Sequence, residues 1–122
     1  MVTLKDILET AAHYALLSEL ADILFKNEGI TITDGVAECE DLSPEDLDSL
    51  NLLLQSAKNV LNALDVQIDI NNLDFELPNK APCNKPRVMG YGIMAEYCKL
   101  DNNPKDIHQW ARRYEDALAG KN

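Results

Sequence analysis

The chain is poor in the residues from which active sites and membrane anchors are built. It has two histidines, His13 and His108, and three cysteines, Cys39, Cys83 and Cys98, among 122 residues. Neither histidine belongs to a metal-ligand spacing pattern, so both are expected as packed or surface imidazoles, with no metal. The cysteines are odd in number and lack Cys-x-x-Cys spacing, which predicts reduced thiols in place of a disulfide framework or zinc site. No G-x-G-x-x-G or Walker spacing is present, and no nucleophile-base or histidine-carboxylate pairing is visible. The expectation is a protein that is not an enzyme and carries no cofactor. No stretch approaches the roughly 20 uninterrupted apolar residues of a membrane span, and Met1-Val2-Thr3-Leu4-Lys5-Asp6 is not a basic segment leading into an apolar run. A soluble, intracellular chain is therefore expected.

Basic residues are scarce in the first two-thirds. Residues 1–79 carry 16 acids against Lys5, Lys26 and Lys58, a charge of −13, whereas residues 80–122 carry eight bases against five acids, a charge of +3. A net charge of −10 argues against independent nucleic-acid binding, which needs a cationic footprint to displace counterions from phosphates. The polarity fits a solvated acidic surface, an attraction between opposite ends of neighbouring copies, or an acidic face that meets DNA without adhering to it.

A chain of this length makes one domain, burying about 65% of its unfolded surface around a single core. The pattern predicts a mainly α fold, a small four-helix bundle with helices at about 3–27, 43–65, 86–100 and 103–119 and a short β-hairpin at about 66–77. The first helix opens at Thr3 with Asp6 three residues on, and Leu4, Ile7, Leu8, Ala11, Ala15, Leu20 and Leu24 recur at helical spacing. Gly29 is expected to supply the positive φ at its end. Residues 30–42 contain a brief alternation and an Asp34-Gly35 turn signal, which fits a short strand or an irregular loop. Ser43-Pro44-Glu45-Asp46 supplies a hydroxyl cap, a first-turn proline and acids facing the helix dipole. Leu47, Leu50, Leu54, Ala57, Leu61 and Leu64 follow as a core stripe, widened by Leu52, Leu53 and Val60.

Val66-Gln67-Ile68-Asp69-Ile70, then Asn71-Asn72, then Leu73-Asp74-Phe75-Glu76-Leu77 predicts a hairpin with a two-residue turn. One face collects Val66, Ile68, Ile70, Leu73, Phe75 and Leu77. The other collects Gln67, Asp69, Asp74 and Glu76, with Asp69 opposite Asp74, so it is a candidate acidic channel or partner face. A calcium loop is a poor match, since its glycine and distal glutamate are missing. Residues 78–86 form a Pro/Lys-rich connection, after which Asn84 or Lys85 precedes the third helix.

Gly90 and Gly92 lie inside that helix, each costing about 1 kcal/mol relative to alanine, which predicts close approach by a neighbouring helix backbone. Asn103-Pro104 opens the last helix with Asn103 as cap, Ile107, Trp110, Tyr114 and Ala117 or Leu118 face inward, and Gly120 ends it. Arg112 and Arg113 stand off that stripe. They are read as a solvated charged face or as cations reaching an acidic neighbour, with Arg113 able to pair weakly with Glu115 or Asp116.

Tyr91-Gly92-Ile93-Met94-Ala95-Glu96-Tyr97-Cys98, followed after a short turn by Trp110 and Arg113-Tyr114-Glu115-Asp116-Ala117-Leu118, resembles the C-terminal helix pair of head-to-tail connector, or neck adaptor, proteins of tailed phages and prophages. The resemblance is carried mainly by residues 86–119. It implies a non-enzymatic structural protein that forms a ring on the portal protein and receives neck or tail completion proteins. Its location would be the host bacterial cytoplasm during assembly and then the virion neck. Lys99, Trp110, Arg112, Arg113, Tyr114 and Lys121 are the candidate subunit or partner interface, and Asp69, Asp74 and Glu76 the candidate acidic face. The competing expectation is an acidic inhibitor or regulator that offers carboxylates in place of phosphates to a basic nucleic-acid-binding protein.

Overall fold

The helices that open after Thr3 and Ser43 start at side-chain caps that the sequence marks. In the computed structural model, which describes residues 1–121, α1 (Leu4–Tyr14) opens with a complete capping box. Thr3 Oγ1 accepts from the Asp6 amide at 3.3 Å, and the Thr3 amide donates to Asp6 Oδ2 at 2.9 Å. Helix α3 (Pro44–Ala63) is capped by Ser43, whose Oγ accepts from the Asp46 amide at 3.2 Å. Helices α4 (Pro86–Leu100) and α5 (Pro104–Leu118) begin at their prolines. Asn103 occupies the cap position of α5 but makes no cap bond, because its side-chain amide donates to Asp106 Oδ2 instead.

The fold is mainly helical with one two-stranded antiparallel hairpin, and it differs from the expected arrangement in two places. The first predicted helix is two helices, α1 and α2 (Ser18–Lys26). Nine residues at 100° each would set Leu20 about 180° around a continuous helix from Ala11, so one straight rod could not bury both. The chain breaks at Leu16, which takes φ 61°. Leu17 then donates to Ala12 O and Leu16 to His13 O, the two bonds of a Schellman ending. The break returns Leu20, Ala21 and Leu24 to the core. A leucine in this left-handed region costs about 1–2 kcal/mol, and no glycine or proline in the sequence marks it. Helix α2 ends at Asn27 with φ 54°, two residues ahead of Gly29, which is also positive at 76°.

The hairpin is not at 66–77 but at β1 (Thr31–Thr33) and β2 (Val36–Glu38), joined by Asp34-Gly35 with φ 52° and 79°. Positive φ at both central residues is the I′ turn that Asp-Gly favours. Residues 66–77 keep the predicted two faces: Val66, Leu73 and Leu77 are buried, while Gln67, Asp69, Asp74 and Glu76 are exposed. They do not pair with one another. Asn71 donates its amide to Asp69 Oδ1 and Asp74 to Asn72 Oδ1, side-chain turns that replace a I′ turn. The backbone after the turn pairs instead with the N-terminal segment, through a Thr3–Glu76 bridge and a Leu77 amide donating to Val2 O. Phe75 O and Leu73 O accept from the Leu4 and Lys5 amides, first-turn donors that α1 cannot satisfy itself.

Helix α4 is the centre of the assembly, packed on α1, α3 and α5 with Met89 and Ile93 fully buried. Its glycines are explained by rings in place of the expected helix backbone. A methyl group at Gly90 would lie 2.8 Å from the Tyr14 ring, and one at Gly92 would lie 2.9 Å from the Tyr114 ring. Cys39, Cys83 and Cys98 are buried free thiols. No helix among the described residues is long and apolar enough to cross a membrane.

Candidate interaction surface

Helix α5 lies along α4 with no fully buried residue, so its inner face is a half-covered seam. Three aromatics from three helices meet there. Tyr14 stacks on Tyr91 with ring centres 5.4 Å apart and on Trp110 at 5.5 Å, and Tyr91 tilts against Trp110 at 6.1 Å. The Arg113 guanidinium lies 4.7 Å from the centre of the Trp110 ring, so this arginine caps the cluster instead of standing clear of it. Burial pushes the Tyr14 phenol above its ordinary range, with Tyr91 adding to the effect, while nearby Arg87 and Arg113 oppose it. The cluster is thus an aromatic surface with two arginines nearby.

Leu16 extends that surface. It is 87% exposed and, with Tyr14, Met94, Tyr97 and Trp110, lines an open cleft of about 260 Å³. Asp106 stands on the same rim, its carboxylate engaged by the Asn103 amide at 3.2 Å.

The structure divides the expected interface residues. Trp110 and Arg113 belong to the aromatic cluster. Tyr114 is committed to the Gly92 surface, and burial pushes its phenol up, with Cys83 adding to the effect. Lys99 is exposed near the end of α4, with Glu96 at 3.9 Å, whereas exposed Lys121 lies beyond α5, so the two lysines sit at opposite ends of the helix pair. Arg112 is exposed. Sequence reasoning missed Tyr14, Leu16, Tyr91 and Arg87 as neighbours of Trp110, because two segments distant in sequence from α5 supply them and only packing unites them.

The three acids expected on one hairpin face are carried by a different backbone. Asp69, Asp74 and Glu76 are exposed, but Asp69 no longer stands opposite Asp74 across a ladder. Asp74 Oδ1 accepts from the Asn27 side chain at 3.0 Å, and the Gly35 amide donates to Asn71 Oδ1 at 2.9 Å. The Gly35–Asn71 bond ties the β1–β2 turn, with Asp34, to the 69–74 turn, and the Asn27–Asp74 bond ties the end of α2 to it. Val36, 57% exposed, adds an apolar side chain beside them.

The two patches occupy opposite ends of α1. Its first residues bond to Leu73 and Phe75 at the acidic end, and Tyr14 joins the aromatic cluster at the other. Eleven residues separate them by about 16 Å of rigid helix. His13 is exposed with Glu9 at 3.7 Å, His108 is exposed, and no group of three or more His, Cys, Asp or Glu among the described residues could hold a metal. No protein-family model matches the chain, and neither does any curated protein or solved structure.

Proposed function

We propose that the protein is a structural subunit that assembles head to tail, and that its assembly is the phage head-to-tail connector which its C-terminal helix pair resembles. The observation that carries this reading is the placement of an aromatic, basic patch and an acidic patch at opposite ends of one rigid helix. Surfaces so placed cannot satisfy each other within a molecule. Between copies they form a heterologous contact, which closes into a ring when the rotation permits. In a connector, the portal protein would template that closure and neck or tail completion proteins would dock on the finished ring. The carboxylates turned to solvent would let DNA pass without counterion-releasing contacts.

Native mass spectrometry at tens of micromolar, with purified portal rings added, tests the reading. A portal ring carrying multiple copies is the expected species, and free monomer alone would overturn it. The exposed acids Asp34, Asp69, Asp74 and Glu76 also support a second reading, an acidic inhibitor of a basic nucleic-acid-binding protein. Salt-sensitive inhibition of such an enzyme by the purified chain, with no portal binding, would favour that reading.

A further inference from the structure

The two edges of the β1–β2 hairpin are finished differently. At β2 the Asn51 side chain accepts from the Ala37 amide at 2.8 Å and donates to Ala37 O at 3.3 Å, so a side chain stands where a neighbouring strand would. Ala37 thus turns its backbone groups away from β1, which makes Ile32–Ala37 a non-hydrogen-bonded pair of the ladder. Ile32 turns its own amide and carbonyl the other way, outward from β1. Neither has a partner among the described residues, and no other helix or strand packs against β1. Lysine and proline, which commonly blunt such an edge, are absent from Thr31-Ile32-Thr33.

The chemistry beside this edge selects what can join it. Residues 27–43 hold five acids, Glu28, Asp34, Glu38, Glu40 and Asp41, and no lysine or arginine. Glu38, Glu40 and Asp41 line an open cleft of about 270 Å³ with Gly29, Thr31 and Cys39, at the end of the hairpin away from its turn. The pleat supplies the rest of the specification. Ile32 packs against the core, whereas Thr31 and Thr33 are exposed, and Thr31 shares the outer face with its cross-strand partner Glu38. A third strand paired at Ile32 would set one side chain on the inner, apolar face and the two flanking it on the outer, acidic face. We propose that the free edge of β1 is a strand-addition site for an extended basic segment of a partner protein, in the pattern basic, apolar, basic with the apolar residue opposite Ile32. Bonds to the Ile32 amide and carbonyl set the register, and the carboxylates of Glu38, Glu40 and Asp41 engage the flanking cations. So short an edge offers few backbone bonds, so the charges carry much of the attraction and binding weakens with salt. The site goes beyond the connector reading and does not depend on it.

A nuclear magnetic resonance titration of the full chain with a blocked heptapeptide of alternating lysine and valine, valine central, tests the proposal. The Ile32 amide should exchange rapidly with solvent in the free protein, and its exchange should slow about tenfold or more at saturating peptide. Methylating the central valine amide nitrogen should weaken binding about tenfold, because it removes a donor and obstructs the edge while leaving every charge in place. Glutamate in place of each lysine should abolish binding, and Glu38→Lys, a change at an exposed position, should weaken it about threefold. An Ile32 amide already protected in the free protein would overturn the proposal, as would the absence of binding at millimolar peptide. Binding indifferent to the N-methyl group, or without effect on Ile32 exchange, would also overturn it by showing attraction between charges alone. Portal binding is read in a separate experiment, so failure of the connector reading leaves this site standing and the reverse holds equally.

Discussion

Tyr114 lies so close to Gly92 that a methyl group on that α carbon would sit 2.9 Å from two atoms of the ring. Replacing a glycine with alanine inside a helix ordinarily gains about 1 kcal/mol. Here the ring must be displaced, and overpacking of this kind costs about 1–3 kcal/mol. Gly92→Ala is therefore expected to lower unfolding free energy by about 1 kcal/mol in urea titrations. The loss should vanish when the same change is made in a Tyr114→Ala background. A raised midpoint for the single variant would show that the ring swings aside freely.

Three helix starts carry similar sequence signals but different bonds, and stability should follow the bonds. Thr3 and Ser43 each accept a backbone amide, whereas Asn103 spends its side chain on Asp106. Thr3→Ala and Ser43→Ala should each cost about 1 kcal/mol, and Asn103→Ala less than half of that. Chemical denaturation of the three variants side by side checks the order. Equal losses at all three positions would contradict it.

Local chemistry explains what was legible before the structure. The prolines at 44, 86 and 104 marked three helix starts because they lack the amide that a first turn leaves unpaired. The two faces of residues 66–77 were also legible, since alternation reports burial regardless of which strand lies alongside. Their pairing was not, because a partner as distant in sequence as Thr3 is from Glu76 leaves no local mark. The Thr3–Glu76 bridge captured the backbone that a hairpin would have used. The break at Leu16 was hidden for the opposite reason: phase mismatch between Ala11 and Leu20 was present, but the residue absorbing it is neither glycine nor asparagine. Trp110 and Arg113 were visible as surface candidates on one helix, whereas Tyr14 and Leu16 entered that surface only through packing across α1 and α4.

Stability should fall in alkali from about pH 9 upward. Burial pushes the Cys83 and Cys98 thiols above their ordinary 9.0, and it pushes the Tyr14 and Tyr114 phenols above their ordinary 10.0. A group that holds its proton more tightly when folded contributes its full stabilisation below the unfolded pKa. That contribution is lost as pH rises through the folded value, because the unfolded chain releases the proton first. Tyr114→Phe removes one such group, so its alkaline unfolding midpoint, followed by circular dichroism under reducing conditions, should move to higher pH. An unchanged or lower midpoint would count against a buried, proton-retaining Tyr114.

The β1–β2 hairpin is too short to stand alone, and Asn51 of α3 attaches it to the core. The Asn51 side chain accepts from the Ala37 amide at 2.8 Å and donates to Ala37 O at 3.3 Å, a pair of bonds like those of a neighbouring strand. Ala37 is buried, so removing that partner leaves a backbone donor and acceptor without water. Asn51→Leu, close in size but unable to bond, should cost about 1–3 kcal/mol. The loss should be local first: amide exchange at Ala37 should accelerate well before exchange in α4 changes. Uniform acceleration throughout the chain would mean that the hairpin unfolds only with the core, whereas unchanged exchange at Ala37 would mean that Asn51 does not hold it.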